Sequence, residues 1–145
     1  MSHKATAYIK GKILPKSSEV TEEFNSASNV HSEALDFSKW LIALMEEKGL
    51  SKKSYDELFS DQITMSEAPD MLEEEEAVAW TLGFAKFKIS NRVVLGHAGN
   101  NDGFNALFLL DRDKKWGLVQ FNNADAVYEF GYDLFKYLHK GTKTS

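Results

Sequence analysis

The segment with the most capacity for chemistry is Val93-Val94-Leu95-Gly96-His97-Ala98-Gly99, followed by Asn100-Asn101-Asp102-Gly103. An imidazole gains or loses a proton near neutral pH, and His97 stands where an apolar, β-branched run gives way to a turn signal. Gly99 leaves the backbone open to close approach. Two readings of His97 stand side by side: a solvated residue at a strand end, or a polar group offered to a ligand. The other histidines do not suggest a metal site. His3 falls near the chain start, His31 and His139 read as surface residues, and no His-x-x-x-His spacing occurs. Cysteine is absent, which removes disulfides and thiolate ligands. Glu73-Glu74-Glu75-Glu76 reads as a solvated charge run. Neither a metal nor a cofactor is expected.

The elements that must position His97 follow from periodicity. From Ala77 the pattern has period two, with Val78, Trp80, Leu82 and Phe84 alternating with Ala79, Thr81, Gly83 and Ala85. This predicts one long strand to about Ile89. Ser90-Asn91 reads as a tight turn, Arg92 to Gly96 as the next strand, and Asn100 to Gly103 as a turn. Phe104 to Leu110 and Trp116 to Phe121 give two more strands, joined by a turn over 111–115. Short turns between consecutive strands make an antiparallel meander.

Helices flank the sheet. Leu35, Phe37, Trp40, Leu41, Leu44 and Met45 recur at helical spacing, with Ser32 as the expected cap and Lys48-Gly49 as the stop. Ser51 is expected to cap a shorter helix carrying Tyr55, Leu58 and Phe59. Asn122 to Asp125 opens a last helix whose apolar face is Val127, Phe130, Gly131, Leu134, Phe135 and Leu138. Residues 6–13 read as an extended piece turning at Gly11, and 15–32 and 61–76 as loops. The ends, 1–5 and 141–145, are expected to be disordered. The fold class is α+β: a four-stranded antiparallel meander packed with helices, in a single domain over 1–145.

Composition sets limits. The 145 residues suit one domain, and an apolar fraction of 43% supplies an ordinary core. A net charge of −5 gives no electrostatic reason to expect nucleic acid. No apolar run approaches the ~20 residues of a membrane span, so no membrane is expected. Met1-Ser-His-Lys-Ala lacks the apolar stretch of a signal peptide.

The ordered set of local patterns resembles the C-terminal half of the serine β-lactamase and penicillin-binding-protein superfamily, in its esterase-like, class C branch. Ser32-Glu-Ala-Leu-Asp36-Phe-Ser-Lys-Trp40-Leu is similar to the family's Ser-Thr-Ala-x-Asp-Leu-Ala-x-Phe-Leu helix start. Trp80-Thr-Leu-Gly83-Phe84 resembles its Tyr-Gly-Leu-Gly-Trp strand. His97-Ala98-Gly99 resembles the third motif, which is Lys-Thr-Gly in many members and His-x-Gly in this branch. Gly103-Phe104, Asn122-Asn123 and Ala7-Tyr8 with Gly11 extend the likeness, which covers about residues 5–140.

The resemblance implies roles for three residues. His97 takes the place of the family lysine and faces a substrate carboxylate or a neighbouring hydroxyl. Gly99 leaves room for substrate, and the Asn100 backbone N–H is one oxyanion donor. Such a donor contributes ~3 kcal/mol of transition-state stabilisation. The resemblance also implies a nucleophilic Ser-x-x-Lys. No lysine of this chain has a serine three residues before it. The second motif, Tyr or Ser two residues before Asn, is missing as well: Tyr8, Tyr55, Ser17, Ser18 and Ser26 all lack that Asn. The expectation is therefore a C-terminal portion that is inactive alone, in an intact enzyme acting on small acyl substrates. The alternative is a non-catalytic binding or assembly module. Either leaves a sheet edge uncovered, so a homodimer or a complementary N-terminal segment is expected. The resemblance admits a periplasmic or secreted parent, and nothing in the chain fixes the compartment.

Overall fold

The computed structural model describes residues 5–14, 30–64, 77–89, 92–124 and 128–141. The loops expected over most of 15–32 and 61–76, with Glu73 to Glu76, lie outside these residues. So do the Ser90-Asn91 turn, Asp125, Val127 and most of both expected disordered ends.

The elements in chain order are β1 (Tyr8–Ile9), β2 (Lys12–Ile13), α1 (Ala34–Met45), α2 (Lys52–Leu58), β3 (Ile63–Thr64) and β4 (Ala77–Trp80). Then follow β5 (Ala85–Ile89), β6 (Arg92–Asn101), β7 (Phe104–Asp111), β8 (Trp116–Asn122) and α3 (Tyr128–Gly141). β3 to β8 form one antiparallel sheet in sequence order, and β1 with β2 a separate hairpin. The fold is α+β, as expected, and the meander has six strands in place of four.

Two strands were added for physical reasons. The run from Ala77 to Ile89 is broken at Thr81–Phe84, where Gly83 takes φ +93° and the Thr81 N–H donates to the Phe84 carbonyl at 2.8 Å. Only glycine adopts that backbone cheaply, so the period-two pattern folds into a hairpin instead of one strand. Ile63 and Thr64, read as loop, pair with Trp80 and Ala79.

Both faces of the sheet are covered. Leu107, Leu109, Val94, Phe87 and Ile89 form one core with Phe135 of α3. Leu95, Phe108, Leu110 and Phe84 form the other with Leu41 and Leu44 of α1 and Tyr55 and Phe59 near α2. A strand buried on both faces needs apolar residues in succession, and Leu107 to Leu110 meet that need.

The helix ends differ in part from expectation. Ser51 Oγ caps α2 by accepting from the Ser54 N–H at 3.1 Å, as expected. At α1 the cap is Glu33, whose carboxylate accepts from the Asp36 and Leu35 N–H groups, and Ser32 is displaced from that role. A longer carboxylate side chain reaches both free donors and carries the charge that the helix start favours. The helical faces are also narrower. Leu35 and Phe130 are largely solvent-facing, and Trp40 and Leu138 are partly so. The last helix is described from Tyr128, and residues 125–127, where its expected opening ends, lie outside the described residues.

At one end of the sheet the first hairpin docks on the last strand. Lys10 and Gly11 both take positive φ, which suits a two-residue turn between Ile9 and Lys12. The Tyr8 N–H donates to the Asn123 carbonyl at 3.1 Å, and Asn123 Nδ2 donates to the Thr6 carbonyl at 2.8 Å.

Candidate active site wall

His97, Gly99 and Asn100 all lie on β6, near the sheet end that receives the first hairpin. The turn expected over Asn100–Gly103 is shorter than that. Asn100 pairs with Asn105 and Asn101 with Phe104, so the turn itself is Asp102-Gly103, with Gly103 at φ +69°. The ladder wins over local turn propensity because β7 offers a partner to each residue.

His97 sits opposite Phe108 and is solvent-exposed. The Trp80 ring meets its imidazole edge-on, with centroids 5.9 Å apart and planes at 83°. That geometry is favourable for two aromatic rings and limits the imidazole's orientations. Among the described residues the two imidazole nitrogens have no hydrogen-bond partner, which leaves them to whatever approaches from outside.

Gly96 and Gly99 differ in what they face. A Cβ at position 96 would lie 2.7 Å from the Phe108 carbonyl oxygen and 2.8 Å from Leu109 Cδ2. Glycine is required there by packing. A Cβ at position 99 would meet only Ala106 Cβ, at 3.9 Å, and the residue does not have positive φ. Neither crowding nor backbone conformation within the described chain calls for glycine at 99.

Gly103 closes the corner. A Cβ there would lie 2.7 Å from Ala7 Cβ, so Ala7 and Tyr8 lie directly against the turn that follows Asn100. Lys86 stands on β5 opposite Leu95, and its ammonium is bound by Asp61. Lys39 and Lys52 are paired with Asp36 and Asp56 on exposed helix surfaces, and those carboxylates hold both ammonium groups above their ordinary range. The described residues bring no serine–lysine pair to His97. No three His, Asp or Glu side chains gather among them, and none of the described helices is long and apolar enough to cross a membrane.

A search of known structures finds one likeness that bears on this geometry. The octameric penicillin-binding protein homologue from Pyrococcus abyssi matches with a TM-score of 0.65 at 16% identity. The match covers 75% of this chain and 24% of that one. The fold is therefore penicillin-binding-protein-like. At this identity the likeness speaks for the fold alone, and the chain corresponds to about a quarter of that protein's length. No family model matches the chain, and no curated protein matches it.

Sequence reasoning ended this strand at Gly96 and put Asn100 in a turn, whereas β6 runs on to Asn101 and carries His97, Gly99 and Asn100 together. It also missed three of their neighbours. The Trp80 contact follows from the hairpin at Gly83, which the unbroken alternation hid. The packing role of Gly96 was signalled by a glycine inside an apolar strand run. The docking of Thr6 to Tyr8 had no local signal, because its partners lie at the far end of the chain.

Proposed function

We propose that this chain is the C-terminal part of a serine β-lactamase-like hydrolase acting on ester, amide or β-lactam bonds. In this reading His97 lines the substrate cleft, Gly99 admits the substrate, and the Asn100 backbone N–H is one oxyanion donor. The nucleophilic serine and its lysine come from a segment outside this chain. The observation that carries the reading is the contrast at β6. His97 presents imidazole nitrogens with no described partner, and two residues on stands a glycine that packing among the described residues does not require. A site for close approach of a ligand explains both. The penicillin-binding-protein-like fold supports it.

The test is complementation. The chain alone is expected to leave p-nitrophenyl esters and a chromogenic cephalosporin intact. Mixed with a segment carrying Ser-x-x-Lys from the same coding region, it is expected to restore hydrolysis, and His97→Ala in this chain is expected to lower the restored rate at least tenfold. Restored activity that ignores His97 would sink the assigned role, and the absence of any such segment would sink the reading.

A specific observation favours a second reading, an assembly module. Phe130, Tyr137 and Leu138 are 60%, 74% and 42% exposed on α3, at helical spacing on its outward side. The outer edge of β8 receives, among the described residues, only the Tyr8 segment near its end. An octameric neighbour agrees with self-association. Sedimentation separates the readings: a concentration-dependent oligomer abolished by Phe130→Lys with Tyr137→Lys favours assembly, and a monomer at high concentration excludes it.

A further inference from the structure

The first hairpin crosses the end of the sheet, from the last residues of β8 to the turn between β6 and β7. On the β8 side Tyr8 bridges Ala124 in parallel. The Tyr8 N–H donates to the Asn123 carbonyl at 3.1 Å, and Asn123 Nδ2 donates to the Thr6 carbonyl at 2.8 Å. One residue thus holds the chain on both sides of Ala7. On the other side a Cβ at Gly103 would lie 2.7 Å from Ala7 Cβ and 3.0 Å from the Tyr8 nitrogen. Gly103 is buried although it stands in a turn. The Leu14 N–H donates to the Ala7 carbonyl at 2.9 Å and closes the hairpin behind this contact.

The hairpin is attached by different forces from those that hold the sheet. The sheet is sealed by apolar burial around Leu109 and Leu110, and no residue of 5–14 belongs to either core. A segment outside the core opens at a lower free energy than the core itself. Asn123 is solvent-exposed, so its carboxamide fills no packed space and its contribution is the bond to Thr6.

We propose that residues 5–14 form a strap that opens separately from the sheet, and that Asn123 is the clamp that holds it shut over Asp102-Gly103. Asn101 pairs with Phe104 next to that turn, and Asn100 with Asn105 one rung further in. The closed strap therefore fixes the end of β6 that carries the Asn100 N–H. The link to catalysis rests on Asn100 being an oxyanion donor. On that reading Asn123 is a positioning residue, which acts through the strap and does not meet the substrate.

The first test is amide hydrogen exchange of the chain as it stands. The Tyr8 and Leu14 amides are expected to exchange at least about tenfold faster than that of Leu109, and with a weaker dependence on urea. One common rate with one common urea dependence would overturn the proposal, because the strap would then open only with the whole sheet.

The second test uses Asn123→Asp, which keeps the side-chain shape and removes the donor, beside Asn123→Ala. Both are expected to shift the amide resonances of Asn100 to Gly103 together with those of Thr6 to Tyr8, and to leave Leu107 to Leu110 in place. Shifts that stop short of Asn100 to Gly103 would overturn the clamp's hold on that corner. Neither measurement needs hydrolysis, so a parent chain that restores no activity strikes the proposed reaction and not the strap. Where activity is restored, both variants are expected to lower kcat at least about threefold at unchanged KM, and an unchanged kcat would overturn the positioning role.

Discussion

Arg92 grips Asp111 through two parallel contacts, Nε to Oδ2 at 2.5 Å and Nη2 to Oδ1 at 2.9 Å. The carboxylate is fully buried and also accepts from the Lys114 N–H at 2.9 Å. It thus joins the start of β6 to the β7–β8 turn. The Asp111 carboxylate, through its hydrogen bond, holds the Arg92 guanidinium above its usual range. A raised cation contributes stability that is full at lower pH and lost only as pH rises through the folded value. That window lies far above neutrality, so Arg92 adds no pH dependence near pH 7. Asp111→Ala strands the donors and is expected to cost about 3 kcal/mol, read from urea melts.

The two glycines of β6 give a paired prediction. Gly96→Ala forces a methyl against a backbone oxygen and is expected to cost 1–3 kcal/mol, roughly the range for overpacking. Gly99→Ala is expected to stay within about 0.5 kcal/mol of the parent protein. Equal losses at both positions would make Gly99 a packing residue and remove the main support for the site reading.

Helix starts are separable in the same way. Ser51→Ala removes the cap of α2 and is expected to cost about 1 kcal/mol. Ser32→Ala is expected to change stability by less than about 0.5 kcal/mol, because Glu33 caps α1. Thermal melts of the two variants decide the matter.

Docking of α3 rests on Phe135. Its ring is fully buried and stacks on Trp116 with centroids 4.5 Å apart. Phe135→Ala is expected to cost 3–5 kcal/mol, about the range for emptying a buried aromatic site. A loss below about 1 kcal/mol would mean that α3 adds little to the core.

The first half of β6 and the whole of β7 were legible because they are apolar over several residues. The half of β6 from His97 to Asn101 was not, because its Gly and Asn residues read as a turn while β7 supplies a partner for each of them. The α2 cap was legible because Ser51 stands directly before the helix. The break at Gly83 was not, since Val78, Trp80, Leu82 and Phe84 keep perfect alternation through a turn. Periodicity records which residues are apolar and not where the backbone reverses. The exposure of Phe130 and Leu138 was illegible for a related reason: an apolar stripe does not say how much of itself is covered. The contact of Ala7 with Gly103 is long-range, and local sequence carries no trace of it.

The bond from Asn123 to Thr6 joins residues 117 positions apart. Closing so long a loop costs entropy that only the finished sheet returns. During synthesis the Thr6–Tyr8 segment must wait for the last strand to emerge before it finds its partner. The corner beside Asn100 is therefore the final part of the sheet to be sealed, and truncating the chain before Asn123 is expected to leave that corner open while the inner strands still pair.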